Sequence, residues 1–208
     1  MLKTVFKDQL EFDYYVVAQN SRMANGYLTK SERDILTKML NKDYKPFFRK
    51  EERKKLPLVT DINYLTQPCQ EVTKEDNVKE IVQKLKDTLA CYDGVGLTAN
   101  QIGIQKKISY IKIPKITKDR KIEFSEFILI NAKIIEKDRP IKISNESCLS
   151  FPGVKVSTVR YVFITVEYYN EKMELQTGVF QDIEALVIQH ECSHQEGKTI
   201  FDYKWRAK

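Results

Sequence analysis

The chain has two histidines, His190 and His194, and both lie in one five-residue run, His190-Glu191-Cys192-Ser193-His194. Nothing else in the 208 residues constrains the fold as tightly. A spacing of four puts both imidazoles on one face of a helix, where they can reach a single cation. Glu191, next to His190, is then close enough to take a proton from water activated at that cation. The plainer alternative is two surface histidines that happen to flank a glutamate. Two features weigh against it. Ile183, Leu186, Val187 and Ile188 precede the pair, so the helix should be buried where the pair begins, and the chain spends no histidine elsewhere.

Two imidazoles hold a metal weakly, so a third ligand is needed. Downstream the candidates are Glu196 and Asp202. Upstream there is Cys148, in the run Glu146-Ser147-Cys148-Leu149-Ser150 that follows a strand-like stretch. A thiolate with two imidazoles would leave one position open for water, as in catalytic rather than structural sites. A further run, Gly94-Val95-Gly96-Leu97-Thr98-Ala99-Asn100-Gln101, is rich in glycine. It lacks the Lys-Ser/Thr of a P-loop and the preceding strand of a dinucleotide fingerprint. Close approach of the backbone to a ligand, with Gln101 donating an amide hydrogen, fits it better. A plain turn with Gln101 at the surface is the alternative.

Periodicity supplies the frame. Val78, Ile81, Val82, Leu85 and Leu89 follow a capping signal at residues 73–76, which predicts an amphipathic helix ending near Cys91, stopped by Asp93-Gly94. Runs rich in Ile, Val, Phe and Tyr predict strands at 107–113, 124–135, 154–156 and 161–169, with a hairpin turn at 170–173. A last helix is expected over 182–194, ended by Gly197. Helix, several strands, helix is an α+β order rather than alternating βαβ units. Residues 1–55 form an expected N-terminal extension. It holds one short helix, capped by Thr29-Lys30-Ser31-Glu32 and carrying Ile35, Leu36, Met39 and Leu40 on one face. Its residues 42–55 hold seven basic and three acidic side chains, a surplus of 7 − 3 = +4 within the chain's net +6. That segment is either a solvated linker or a basic arm for ribosomal RNA.

With 42% apolar and 31% charged residues, the composition excludes a collagen-like chain and argues against wholesale disorder. No apolar run approaches the ~20 residues of a membrane helix, so no membrane partner is expected, and no DNA. The four cysteines, Cys69, Cys91, Cys148 and Cys192, lack a disulfide-framework spacing. The first residues lack the apolar core of a secretory signal, and the first arginine is Arg22. Reduced thiols and a cytoplasmic location are expected.

Gly94-to-Gln101, Glu146-to-Ser150 and Gln189-to-His194 read GVGLTANQ, ESCLS and QHECSH. In this order they resemble the three motifs of peptide deformylases, GxGLAAxQ, EGCLS and QHExDH. The resemblance covers about residues 56–203. It implies an α+β fold with antiparallel sheets packed around a central HExxH helix, in a catalytic domain over 56–208. It also implies residue roles. Cys148, His190 and His194 match metal ligands, and Glu191 matches the general acid/base. Gln101, with the backbone N–H of Leu149, matches the oxyanion donors. Val95, Gly96, Glu146 and Ser147 match positions that line or bond the substrate backbone. Leu186 and Val187 match the wall of a pocket for methionine. The implied cofactor is one divalent metal ion, ferrous iron first, with zinc, nickel or cobalt as substitutes. The implied substrates are N-formylmethionyl nascent peptides, which lose formate.

Four positions depart from the family pattern: Thr98 stands for Ala, Ser147 for Gly, Ser193 for Asp, and Gln195 for an apolar residue. The aspartate at position 193 is expected to face a basic residue on a neighbouring strand, matched here by Arg160, to which Ser193 can offer only a hydrogen bond. The ligands, the glutamate and the glutamine are all kept, which favours an active enzyme over a catalytically weak peptide- or ribosome-binding relative. A metalloprotease with a downstream acidic ligand and a related metallo-amidase are the other candidates. Replacing Cys148 separates the protease from the deformylase: it should abolish metal binding in a deformylase and spare it in such a protease.

Overall fold

A computed structural model of the chain describes residues 56–116 and 122–206, with side chains described over 56–114 and 124–206. The expected extension 1–55 and its basic segment 42–55 lie outside the described residues. Residues 56–112 with 126–206 belong to one compact unit.

The described elements run α1 (Ile62–Leu65), α2 (Val78–Leu89), β1 (Gly96–Thr98), a 3-10 turn (Ala99–Ile102), β2 (Ile108–Ile116), β3 (Ile122–Glu146), β4 (Val156–Tyr169), β5 (Leu175–Gln181), α3 (Asp182–Gln195) and a last 3-10 turn (Ile200–Tyr203). The strands form one sheet in chain order, with β1–β2, β3–β4 and β4–β5 antiparallel. The α+β order and antiparallel pairing expected from the sequence are present, as one five-stranded sheet.

Helix α2 buries Val78, Ile81, Val82, Leu85 and Leu89 against Leu97, Ile108, Tyr110 and Ile130. Its N-cap is Asn77, whose side chain accepts from the Glu80 N–H. The Thr73/Asp76 pair instead closes the turn before it, with the Asp76 carboxylate accepting from the Thr73 N–H at 2.8 Å. A second apolar cluster of Leu65, Cys148, Phe151, Val156 and Ile200 packs beneath the Cys148 turn.

Strands β3 and β4 run beyond their apolar text. Residues 135–140 are exposed yet paired, with Asp138 opposite Phe163 and Pro140 opposite Tyr161. A strand wet on both faces has no alternation to read. On β4, Thr158 and Arg160 interrupt the apolar pattern because they point inward and are buried. Register shifts along β3 fall at Ile130/Lys133, Ile134/Glu136 and Ile143/Glu146, the bends by which one long strand turns a corner. At the first, Asn131 has φ 50°. Its side chain accepts from the Val72 N–H and donates to the Val72 carbonyl, at 2.8 and 3.0 Å. The turn at 170–173 forms as expected, with the Asn170 side chain accepting from the N–H of Lys172 and of Glu174.

Helix α3 is enclosed. Ala185, Val187, Ile188, Gln189 and every residue from Glu191 to Gln195 are buried, and it packs on β1, β4 and β5. Two side-chain amides fasten it to the sheet. Gln189 donates to the Tyr161 carbonyl at 2.8 Å and accepts from the Tyr161 N–H at 2.9 Å. Gln195 donates to the Leu129 carbonyl at 3.0 Å and accepts from the Ala132 N–H at 3.1 Å. The chain then turns through Gly197 at φ 68°, where an added Cβ would lie 2.6 Å from Pro68 N and 2.7 Å from the Thr66 carbonyl oxygen. Gly197→Ala should lower unfolding free energy by about 2 kcal/mol or more, from left-handed strain plus a clash with backbone. Urea denaturation of wild type and variant checks this.

Candidate active site

The Cys148 turn and α3 bring three ligand-type atoms together. One each from Cys148, His190 and His194 lie within 4.8 Å of one another. Cys148 Sγ is 3.3 Å from His194 Nε2. Residues four apart on α3 bring the two rings to 5.2 Å between centroids. Cys148 comes from the loop that ends β3, folded back by the Phe151 N–H bond to the Cys148 carbonyl. Glu196 and Asp202 belong elsewhere: Glu196 pairs with Lys198 at the surface and Asp202 caps the last turn.

Behind the cluster lies a buried polar network centred on Glu146. Its Oε1 faces His190 Nδ1 at 2.7 Å and accepts from Arg160 Nη2 at 2.7 Å. Its Oε2 accepts from Arg160 Nε at 3.1 Å and from the Thr158 hydroxyl. The guanidinium's remaining arm donates to Ser193 Oγ at 3.1 Å, and Tyr203 covers its face at 4.1 Å. Arg160 is therefore the basic partner expected for position 193, with a hydroxyl in place of the family's carboxylate. Burial alone would raise the Glu146 carboxyl. The bond to His190 and the charge and hydrogen bonds of Arg160 outweigh it and hold the group well below the ordinary carboxylate range.

The histidines differ. Burial works against charge on His190, but its bonds to Cys148 and Glu146 prevail, and its proton affinity sits well above that of ordinary imidazole. With Nδ1 turned to Glu146, the basic lone pair is on Nε2, the atom left for a cation. A carboxylate behind a histidine in this way fixes its tautomer and raises its strength as a ligand. His194 is pushed well below the ordinary value by burial, then by His190 and Arg160, which keeps it neutral and able to ligate. One thiol and two imidazoles, converging and supported from behind, fit a divalent cation of borderline softness.

Glu191 is 3% exposed, and its Oε2 accepts the Thr98 hydroxyl at 2.6 Å. Burial raises its carboxyl above the ordinary range, against the opposing pull of His190 and Thr98. A Cβ at Gly96 would lie 2.8 Å from Glu191 Cδ and closer still to Oε1, so a side chain at residue 96 would displace this carboxylate. Gln101 is buried in the 3-10 turn. Its Oε1 accepts from the Thr98 N–H, while Nε2 is 3.2 Å from Ser150 Oγ and 3.5 Å from Cys148 Sγ. The surface alternative for Gln101 is thereby removed.

The remaining candidates are less involved. Val95 accepts the Lys112 N–H through its carbonyl. Leu149 packs on the α2 cluster and fills the space beside Gly94. Val187 is buried and Leu186 half-buried, one turn before His190, and Ser147 is exposed ahead of Cys148. Sequence reasoning missed Thr158, Ser109 and Ser150, and it treated Thr98 as a small change. The other cysteines stay out of the site. Burial pushes Cys69 up to about 12 and Cys192 higher, and all four thiols are free.

Glu146→Gln should loosen metal retention by about 10–100-fold, read by chelator competition. It also leaves the buried Arg160 short of its countercharge, costing about 3–5 kcal/mol. A depressed carboxyl stabilises the fold above its unfolded pKa of about 4.3, and the effect fades as pH falls toward the folded value. The stability gap between wild type and Glu146→Gln should therefore be full above about pH 5 and shrink below it. Denaturation curves over that range check the trend.

A polypeptide deformylase family model matches residues 57–208. The chain is 33% identical to a peptide deformylase of Rickettsia akari, over 71% of this chain and 86% of that protein. It is 36% identical to one of Clostridium beijerinckii, over 69% and 98%. Among solved structures, peptide deformylase from Ehrlichia chaffeensis superposes with TM-score 0.65 at 28% identity, over 74% and 89% of the two chains. That from Thermotoga maritima does so at 0.63 and 28%, over 73% and 99%. With the family's motifs gathered into one buried site and its model matched across residues 57–208, the chain belongs to the polypeptide deformylase family.

Proposed function

We propose that the chain removes the formyl group from the N-terminal formylmethionine of nascent polypeptides, releasing formate. The observation that carries this is the convergence of Cys148, His190 and His194 beside the buried carboxylate of Glu191. These three residues would hold one divalent cation, with ferrous iron as the physiological metal on the family resemblance and zinc, nickel or cobalt as substitutes. When bound, the cation supplies Lewis acidity for the formyl carbonyl and makes water a nucleophile near neutral pH.

The chain's own groups do the rest. Glu191, with a raised proton affinity in a dry site, takes a proton from the attacking water and returns it to the departing amine nitrogen. The C–N bond breaks, and the products are formate and a free N-terminal amine. Gln101 Nε2 and the Leu149 N–H donate to the oxygen that gains charge as the formyl carbon becomes tetrahedral. Gly96 allows the substrate backbone to approach β1 beside Glu191, with Val95 and Ser147 flanking it. Leu186 and Val187 wall the methionine pocket. Glu146 positions His190 from behind rather than touching substrate. The substrate is a nascent chain, so the proposed place of work is the cytoplasm, with residues 42–55 as a ribosome contact.

The test is formate release from formyl-Met-Ala-Ser by anaerobically purified protein. Glu191→Ala should keep one metal per chain and lose about 10²–10⁴-fold in turnover, and Gln101→Ala about 10²-fold. One metal per chain with no formate from wild type would overturn the proposal. Cys148→Ala should abolish metal binding, the outcome that separates this site from a protease with a downstream ligand.

A further inference from the structure

Three buried side chains run in a line to Glu191. Gln195, Ser109 and Thr98 have no exposed surface. The Gln195 amide has an unambiguous orientation, because its oxygen accepts the Ala132 N–H and its nitrogen donates to the Leu129 carbonyl. That nitrogen's other hydrogen goes to Ser109 Oγ at 2.8 Å. Ser109 Oγ lies 2.8 Å from Thr98 Oγ1, which lies 2.6 Å from Glu191 Oε2 and 3.2 Å from the Glu191 carbonyl.

An amide nitrogen can only donate, and an ionised carboxylate can only accept. With Glu191 ionised, as the base of the proposed reaction, the hydroxyl directions follow: Ser109 accepts from Gln195 and donates to Thr98, and Thr98 accepts from Ser109 and donates its single proton to Glu191 Oε2. Successive bonds pointing one way polarise one another, which strengthens the last. The carboxylate's other oxygen, Oε1, lies beside Gly96, in space that a Cβ there would fill. Rotation about the carboxylate bond is thus restrained at Oε2 by the donated proton. Both ends of the line, Thr98 and Gln195, are positions where the sequence departs from the family pattern.

We propose that Thr98 is a positioning residue for the reaction. Oriented by Ser109 and Gln195, it holds the Glu191 carboxylate in one rotation, commits Oε2 as an acceptor and presents Oε1 for proton transfer. This rests on Glu191 acting as the proton carrier proposed above. Thr98 touches no ligand-type atom of the cluster and acts through Glu191, so it should govern turnover rather than substrate affinity.

The experiment compares wild type, Thr98→Val and Thr98→Ser, each with metal content and unfolding midpoint measured. Valine keeps the shape and removes the hydroxyl; serine restores it. In Thr98→Val, kcat should fall about tenfold at unchanged KM and metal content, the scale of losing a hydrogen bond to a charged group. Thr98→Ser should recover most of that loss. The Glu191 carboxylate stretch, identified in infrared difference spectra against Glu191→Ala, should shift in the valine form and not in the serine form. Unchanged kcat in Thr98→Val, an equal loss in Thr98→Ser, or KM moving with kcat would overturn the proposal. Absence of formate release from wild type would instead sink the deformylase proposal, while the infrared shift would still report whether Thr98 bonds Glu191.

Discussion

One nearly buried carboxylate, that of Glu146, organises the site. Glu146 lies at the end of β3, and the groups that bond it come from two other elements: Thr158 and Arg160 from β4, and His190 from α3. An ionised carboxylate away from water is stable only if its lone pairs are occupied by donors. Meeting that demand places β3, β4 and α3 at one fixed separation. The same bonds that make burial tolerable aim His190 Nε2 toward Cys148 and His194. Structure and chemistry are here one set of contacts.

The enclosed helix follows from this. α3 carries polar residues on nearly every side, an arrangement that is costly in an enclosed helix unless those groups find partners. Most have a built partner: Gln189 on Tyr161, Ser193 between Arg160 and the Gln189 carbonyl, and Gln195 on β3, while Asn100 holds the His194 carbonyl and His194 Nδ1 is left without a partner among the described residues. The sheet supplies those partners where its regularity breaks, at the β3 bulge beside Asn131 and at the inward polar stretch of β4.

That pattern explains what the sequence disclosed and what it hid. The amphipathic α2 was readable because its partners are apolar and its outer face is wet. The His190/His194 pair was readable because helical spacing alone puts both rings on one side. Cys148 could not be chosen over Glu196 or Asp202 from spacing; a loop 42 residues upstream is brought to α3 by tertiary structure, and only the motif resemblance pointed to it. Residues 136–140 and 157–160 failed as strand text for opposite reasons. The first is wet on both faces, and the second carries the site's own inward polar groups. Thr98 read as a minor change because its effect depends on Ser109 and Gln195, which are distant in sequence. Arg160 was foreseeable because an acidic family position implies a basic neighbour.

The two glutamine clamps also set how α3 can come apart. Each bonds both the N–H and the carbonyl sides of a strand, and they lie near the middle and the end of the helix. The helix cannot fray from its C-terminus without breaking β3 contacts, nor slide by one residue without losing both clamps together. Its amides therefore have no cheap route to solvent. Hydrogen exchange along α3 requires release of the sheet itself, which makes this helix part of the last cooperative unit to open. The helix that carries His190, Glu191 and His194 should thus be among the slowest-exchanging of the described segments.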